Sequence, residues 1–163
     1  MTSTTFAQLA RVLGLDDDAG LFDVIKAMEE HIAFNRVLGL EIIELSPGHA
    51  AFRFESRPDL IGNPQKQSLH GGVISAALDT VGGIVAMAAL IDRAGSVEEA
   101  LESLMRVGTI DLRVDYLRPA VGHTYTATAY PQRIGRTVAS TRMELHDEAG
   151  TLLAVGSGTY IVG

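Results

Sequence analysis

Residues 71–91, GGVISAALDTVGGIVAMAALI, hold a single charged side chain, Asp79. A run this long and apolar suits either a bilayer or the inside of a protein. Chemistry argues against the bilayer. A carboxylate near the centre costs about 2.5–3.5 kcal/mol on an insertion scale, and Gly71, Gly72, Gly82 and Gly83 lower helix propensity. The run therefore reads as a buried helix, and the rest of the chain has to supply its cover.

That cover reads as sheet. Beyond a helical excursion at 96–106 come four strand-like runs, 107–117, 123–131, 136–146 and 151–162. Turn residues at 119–122, 133–135 and 147–150 separate them. Ahead of the long helix, 40–46 and 49–56 read as two strands joined through Ser46, Pro47 and Gly48, with Phe52 and Phe54 on the core face. Residues 57–68, with two prolines and a glycine, read as a long loop, a common place for function. Near the start, Leu21, Ile25, Met28, Ile32, Phe34 and Val37 give helical spacing over 21–38 behind Asp16, Asp17 and Asp18, with Gly39 closing the helix.

This order lacks the strand–helix alternation of a doubly wound parallel sheet. It predicts an α+β fold in which an antiparallel sheet wraps around one central helix. The chain is 163 residues long, the size of one domain. Without cysteine there is no disulfide framework and no thiol nucleophile, which suits a reducing compartment. A net charge of −7 argues against a phosphate-backbone partner, so nucleic acid is not expected. The first twenty residues lack a secretory signal pattern, making the cytoplasm the expected location.

No phosphate-binding glycine loop, nucleophile elbow or zinc-protease helix motif is present, and the five histidines have no metal-ligand spacing. His70-Gly71-Gly72 stands apart because it falls where a polar stretch becomes the apolar helix. The first turn of a helix leaves N–H groups free, and these with the helix dipole suit an anion or a carbonyl developing negative charge. A tight turn capped by His70 is the competing reading. Asp79 lies about 13 Å along the axis from His70, too far to act with the same chain's Gly71 on one small group. A functional Asp79 must then meet the helix start of a second copy; otherwise it is a hydrogen-bonded structural carboxylate.

NPQKQSLHGGVISAALDTVGG at 63–83, with GTIDLRVDYLRPA and RIGRTVAS further on, resembles the hotdog-fold acyl-CoA thioesterases of the PaaI type. The likeness runs from about residue 40 to the end. It implies a hotdog domain over 39–163, a six-stranded antiparallel sheet around the helix, with 1–38 as an N-terminal helical extension. It further implies hydrolysis of an acyl-CoA thioester without cofactor or metal, at the interface of a homodimer, with a homotetramer open. Gly71 would polarise the carbonyl and Asp79 of the other subunit would act as general base or nucleophile, with His70 at the site. Asn63 matches an upstream polar site residue by type, one position further from His70 than in the pattern, and Gln65 and Gln67 are the substitutes. Gly72, Gln67 and Thr80 would contact substrate, Arg133 and Arg136 the phosphates of CoA, and 94–106 would cover the acyl pocket.

Two other readings share the fold. A hydratase needs Asp with His five residues on, which is absent, and a dehydratase using His70 and Asp79 lacks its usual Phe-Pro-Gly context. A non-catalytic acyl-CoA sensor is the alternative of a different class. No helix-turn-helix attachment and no membrane partner are expected.

Overall fold

The computed structural model describes residues 6–16 and 18–163. Helices α1 (Phe6–Val12), α2 (Leu21–His31) and α3 (Ala33–Leu38) precede strands β1 (Glu41–Ser46) and β2 (His49–Glu55). A small hairpin follows, β3 (Ile61–Asn63) with β4 (Ser68–Leu69), leading into α4 (Gly71–Ile91) and α5 (Val97–Leu104). Four long strands complete the chain: β5 (Gly108–Tyr116), β6 (Thr124–Ile134), β7 (Val138–Asp147) and β8 (Leu152–Ile161).

The six main strands form one antiparallel sheet in the order β1-β2-β6-β7-β8-β5. Its concave face receives α4. Phe52 and Phe54 of β2, Tyr125 and Ala127 of β6, and Met143 and Leu145 of β7 point inward and are fully or almost fully buried. They meet Ile74, Leu78, Val81, Ile84 and Val85 of α4. Burial of each such side chain is worth about 1.5–3 kcal/mol, so this contact is the main source of stability. Among the described residues α4 is the one helix long and apolar enough to span a membrane, and more than half of its most apolar stretch is buried inside the protein.

A helix can enter a curled sheet only where side chains are small. Ala77 of α4 shares the main core with Ala154, Ala86 shares a second cluster with Ala139, and Gly156 of β8 lies under Leu78, all of them buried. Gly82 is the tightest point: an added Cβ would lie 2.3 Å from the Tyr160 hydroxyl and 3.0 Å from both Met143 Sδ and Thr141 Oγ1. The Gly-Ser-Gly step at 156–158 serves the same end, since a Cβ at Gly158 would fall 2.6 Å from Tyr160 Oη.

Four expectations need correction. The 21–38 helix is broken at Ile32, which is extended at φ −68°, ψ 115°. Side chains stabilise the break: the Asn35 amide donates to the Glu29 carbonyl (3.3 Å), and Arg36 donates to the carbonyls of Glu30 (3.1 Å) and His31 (2.8 Å). Nor do Asp16 and Asp18 fall in the first turn of α2, where the acid is Asp23. Gly20 is the N-cap and its N–H donates to Asp23 Oδ2 at 2.8 Å; Asp17 lies outside the described residues. The 57–68 loop contains the β3–β4 hairpin and a single 3-10 turn, Pro58–Leu60. Finally, β6 runs on to Ile134 rather than stopping at 131. Its pairing with β2 ends at Ala129, so Pro131 sits beyond the last bond on that side, where its missing N–H costs little.

Gly82→Ala is expected to lower stability by about 1–3 kcal/mol, because the Tyr160 ring must move to admit the methyl group. Urea unfolding of the variant beside the wild-type protein measures it.

Candidate active site

The start of α4 is fixed by its neighbours. The Leu69 N–H donates to the Ala120 carbonyl (3.0 Å) and the His70 N–H to the Leu60 carbonyl (2.8 Å). Gly62 allows this crossing, since a Cβ there would be 2.6 Å from His70 Cα. His70 is the N-cap: its Nδ1 accepts from the Gly72 N–H at 2.9 Å, which puts the ring proton on Nε2. Val73 and Ile74 return their N–H groups to the His70 carbonyl. Among the described residues the Gly71 N–H makes no hydrogen bond of this kind, so one helix-start donor is left over. The Gly72 N–H, by contrast, is occupied.

Tyr116 packs against Gly71. Its hydroxyl donates to the Gly71 carbonyl (3.0 Å) and lies 2.6 Å from Ser75 Oγ. A Cβ on Gly71 would be 3.3 Å from the Tyr116 ring, so glycine keeps the approach open. Gly71, Asn63, Lys66, Tyr116 and Arg118 line one cavity of about 350 Å³.

Asp79 opens onto a different one. Its half-buried carboxylate accepts from Thr109 Oγ1 (2.9 Å) and Tyr160 Oη (3.3 Å), both at Oδ1. The Tyr160 hydroxyl also donates to the Asp79 backbone carbonyl at 3.1 Å. Burial, and secondarily the Asp79 charge, push the Tyr160 phenol well above its usual range, so it stays a donor. Oδ2 has no hydrogen-bond partner among the described residues and is free to act on water or substrate. The groove here, about 210 Å³, runs between α4, the start of β5 and the α2–α3 break. Thr80 lies in it beside Asp79.

The other candidates fall into two groups. Asn63 Oδ1 accepts from the Gln65 and Lys66 N–H groups (3.1 and 3.0 Å), and Gln67 Nε2 donates to the Pro64 carbonyl (2.6 Å), so both shape the hairpin turn. Asn63 lines the cavity of Gly71, and Gln65 and Gln67 do not. Arg133 and Arg136 line a separate surface cavity of about 370 Å³ and make no ion pair among the described residues. Arg93 ties the end of α4 to that turn through the carbonyls of Ile134 and Gly135. Residues 94–106 do not line the Asp79 groove. The apolar side of α5, Ala100, Leu101 and Leu104, is buried inside the chain, and α2 and α3 form the wall instead.

Thr109, Tyr116, Tyr160 and Glu29 were not legible as site residues. Tyr160 had a weak signal in the glycines that clear its path, and Glu29 had none, being one acid among several on a polar helix face. Glu29 is 7% exposed, its Oε2 accepts from Asn35 Nδ2 at 2.8 Å, and burial raises its pKa from 4.5 to about 7.

Residues 66–154 match the family model of the thioesterase superfamily. Two curated proteins named medium/long-chain acyl-CoA thioesterase YigI are similar over 135 residues, one from Salmonella typhimurium at 43% identity and one from Escherichia coli at 42%. Each match covers 82% of this chain and 87% of the relative. A crystal structure of a Shewanella oneidensis protein related to the thioesterase superfamily superposes with a TM-score of 0.83 at 41% identity, covering 95% of this chain and 97% of that one.

Glu29 makes stability depend on pH in a defined direction. Between 4.5 and about 7 the folded chain keeps a proton that the unfolded chain has lost, so stability falls as pH rises through this window. Glu29→Gln is expected to be more stable than wild type near pH 8, by at most about 3 kcal/mol, with the gap closing near pH 4. Thermal melts at the two pH values check it.

Proposed function

The chain belongs to the thioesterase superfamily and is an acyl-CoA thioester hydrolase, and from that premise we propose that it cleaves medium- to long-chain acyl-CoA at a site shared by two subunits of a homodimer. The observation that carries this reading is the separation within one chain. A free helix-start donor at Gly71 and a carboxylate with a free oxygen at Asp79 lie eight residues apart on α4 and open onto different cavities. Eight residues of helix span about 12 Å, so a twofold pairing of antiparallel α4 helices is the way to bring the two halves onto one thioester. The exposed apolar side chains Ile110 and Tyr116 on β5, which among the described residues pairs with β8 alone, support such a contact.

In that arrangement the Gly71 N–H donates to the thioester carbonyl oxygen and, with the helix dipole, stabilises the oxyanion. Asp79 Oδ2 of the other subunit takes a proton from the water that attacks the carbonyl carbon, or attacks it directly to give an anhydride that water then opens. Both routes break the C–S bond and end in a carboxylic acid and free CoA thiol. Thr109 and Tyr160 hold Oδ1 and so aim Oδ2. His70 positions the donor by capping α4, Asn63 shapes the neighbouring turn, and Arg133 and Arg136 supply cations for the CoA phosphates. Residues 39–163 form the hydrolase domain and 1–38 the extension, in a cytoplasmic enzyme that needs no cofactor.

Asp79→Asn is expected to lower kcat on an acyl-CoA panel at least about a hundredfold, read as thiol release, with a near-wild-type melting temperature. If wild type binds the panel and releases no thiol, the proposal fails. The shared site has its own test, using Gly71→Pro, which removes the donor at a helix position that accepts proline. A co-refolded mixture of Asp79→Asn and Gly71→Pro should recover roughly a quarter of wild-type activity, because half the dimers are mixed and each has one intact site. No recovery would place both groups of each site in one chain.

A further inference from the structure

The groove beside Asp79 has a wall that the sheet and α4 do not build. On the α4 side, Asp79, Gly83 and Met87 recur every four residues, so the groove follows the helix for about 12 Å away from the carboxylate. Opposite them stand Glu29, Ile32 and Asn35, which span the break between α2 and α3. Apolar lining is what an acyl chain needs, and Ile32, Ile84 and Met87 provide it. Glu29 is the exception. It is buried and, among the described residues, has no cation beside it and Asn35 as its one side-chain partner. An apolar residue would pack here at lower cost.

We propose that Glu29 is a specificity-determining residue of the acyl groove: with Asn35 and Ile32 it forms the wall that receives the acyl chain, so the N-terminal helices set the preference for chain length. This rests on the reading of Asp79 as the reacting carboxylate. A chain long enough to reach the wall strips water from Glu29, which the neutral carboxyl tolerates and the carboxylate does not. The bound chain therefore favours the proton on Glu29. Affinity for such a chain is full at low pH and falls as pH rises past about 7, where the free enzyme's Glu29 ionises.

Asp79 on α4 and Tyr160 on β8 are the other titratable groups lining the groove, and Asp79 meets short and long acyl chains alike, so a ratio between the two isolates Glu29. A phenol raised by burial stays neutral across this range. On α3, Arg36 is engaged by the carbonyls of Glu30 and His31. On β1, Glu41 pairs with Arg53 and Glu44 with His49. On α2 itself, Asp23 holds the N-cap amide and His31 Nδ1 lies 2.7 Å from the Ala27 carbonyl, while Lys26 and Glu30 are exposed.

The test compares butyryl-CoA with dodecanoyl-CoA for wild type, Glu29→Gln and Glu29→Trp. For wild type, KM for dodecanoyl-CoA is expected to rise about five- to tenfold between about pH 6 and about pH 8.5 relative to butyryl-CoA, which cancels the titration of CoA itself. In Glu29→Gln, which keeps the size and the Asn35 bond, that relative rise should vanish. In Glu29→Trp, which fills the groove, the ratio of kcat/KM for dodecanoyl- to butyryl-CoA should drop at least about tenfold. If Glu29→Trp does not fold, the Gln profile decides alone. Identical dodecanoyl profiles for wild type and Glu29→Gln would overturn the role of Glu29 and leave the thioesterase reading intact. Hydrolysis of neither substrate by wild type would instead remove the reading on which it rests.

Discussion

The fold depends on putting a nearly all-apolar helix inside a curled sheet while one carboxylate on that helix stays satisfied. Burial of α4 supplies most of the stability, and Asp79 is tolerated because Thr109 and Tyr160 donate to it from the two neighbouring strands β5 and β8. Both donors reach the same oxygen. The carboxylate is thus held in place through one oxygen, with the other left without a partner among the described residues. Neither strand could shift without freeing it.

Tyr160 is the hinge of that arrangement, and it is held by absences. Gly82 on the helix and Gly158 on the strand leave the volume its ring and hydroxyl occupy. The hydroxyl then bonds both the backbone carbonyl and the side chain of Asp79, so it fixes the helix against the sheet and orients the acid with the same atom. A similar economy governs the helix start, where glycines at 62, 71 and 72 let β3, Tyr116 and the His70 ring approach the backbone closely. The donor left free at Gly71 results from where those groups take up the others.

The N-terminal helices are part of the site's surroundings. The break at Ile32 turns α3 away and places Asn35 against Glu29, closing one side of the groove that begins at Asp79. α2 packs on α4 and β1, and its Val24 and Ile25 are fully buried, so the extension shares the core of the domain.

The sequence by itself determined the buried helix, the antiparallel sheet around it and the two residues on which the site reading rests. These follow from local facts: a run of apolar residues too polar at one point for lipid, strand-length alternation between turns, and glycines at a helix start. What tertiary structure decided was everything set by contact between distant segments. The partnership of Asp79 with Thr109 and Tyr160, the seat of Tyr116 against Gly71 and the burial of Glu29 join residues between 6 and 81 positions apart, counting the Asn35 bond. The kink at Ile32 is stabilised by side chains bonding freed carbonyls, and the extra reach of β6 by its continued pairing with β7. No periodicity encodes those, because each depends on which surface another element presents once the chain has closed.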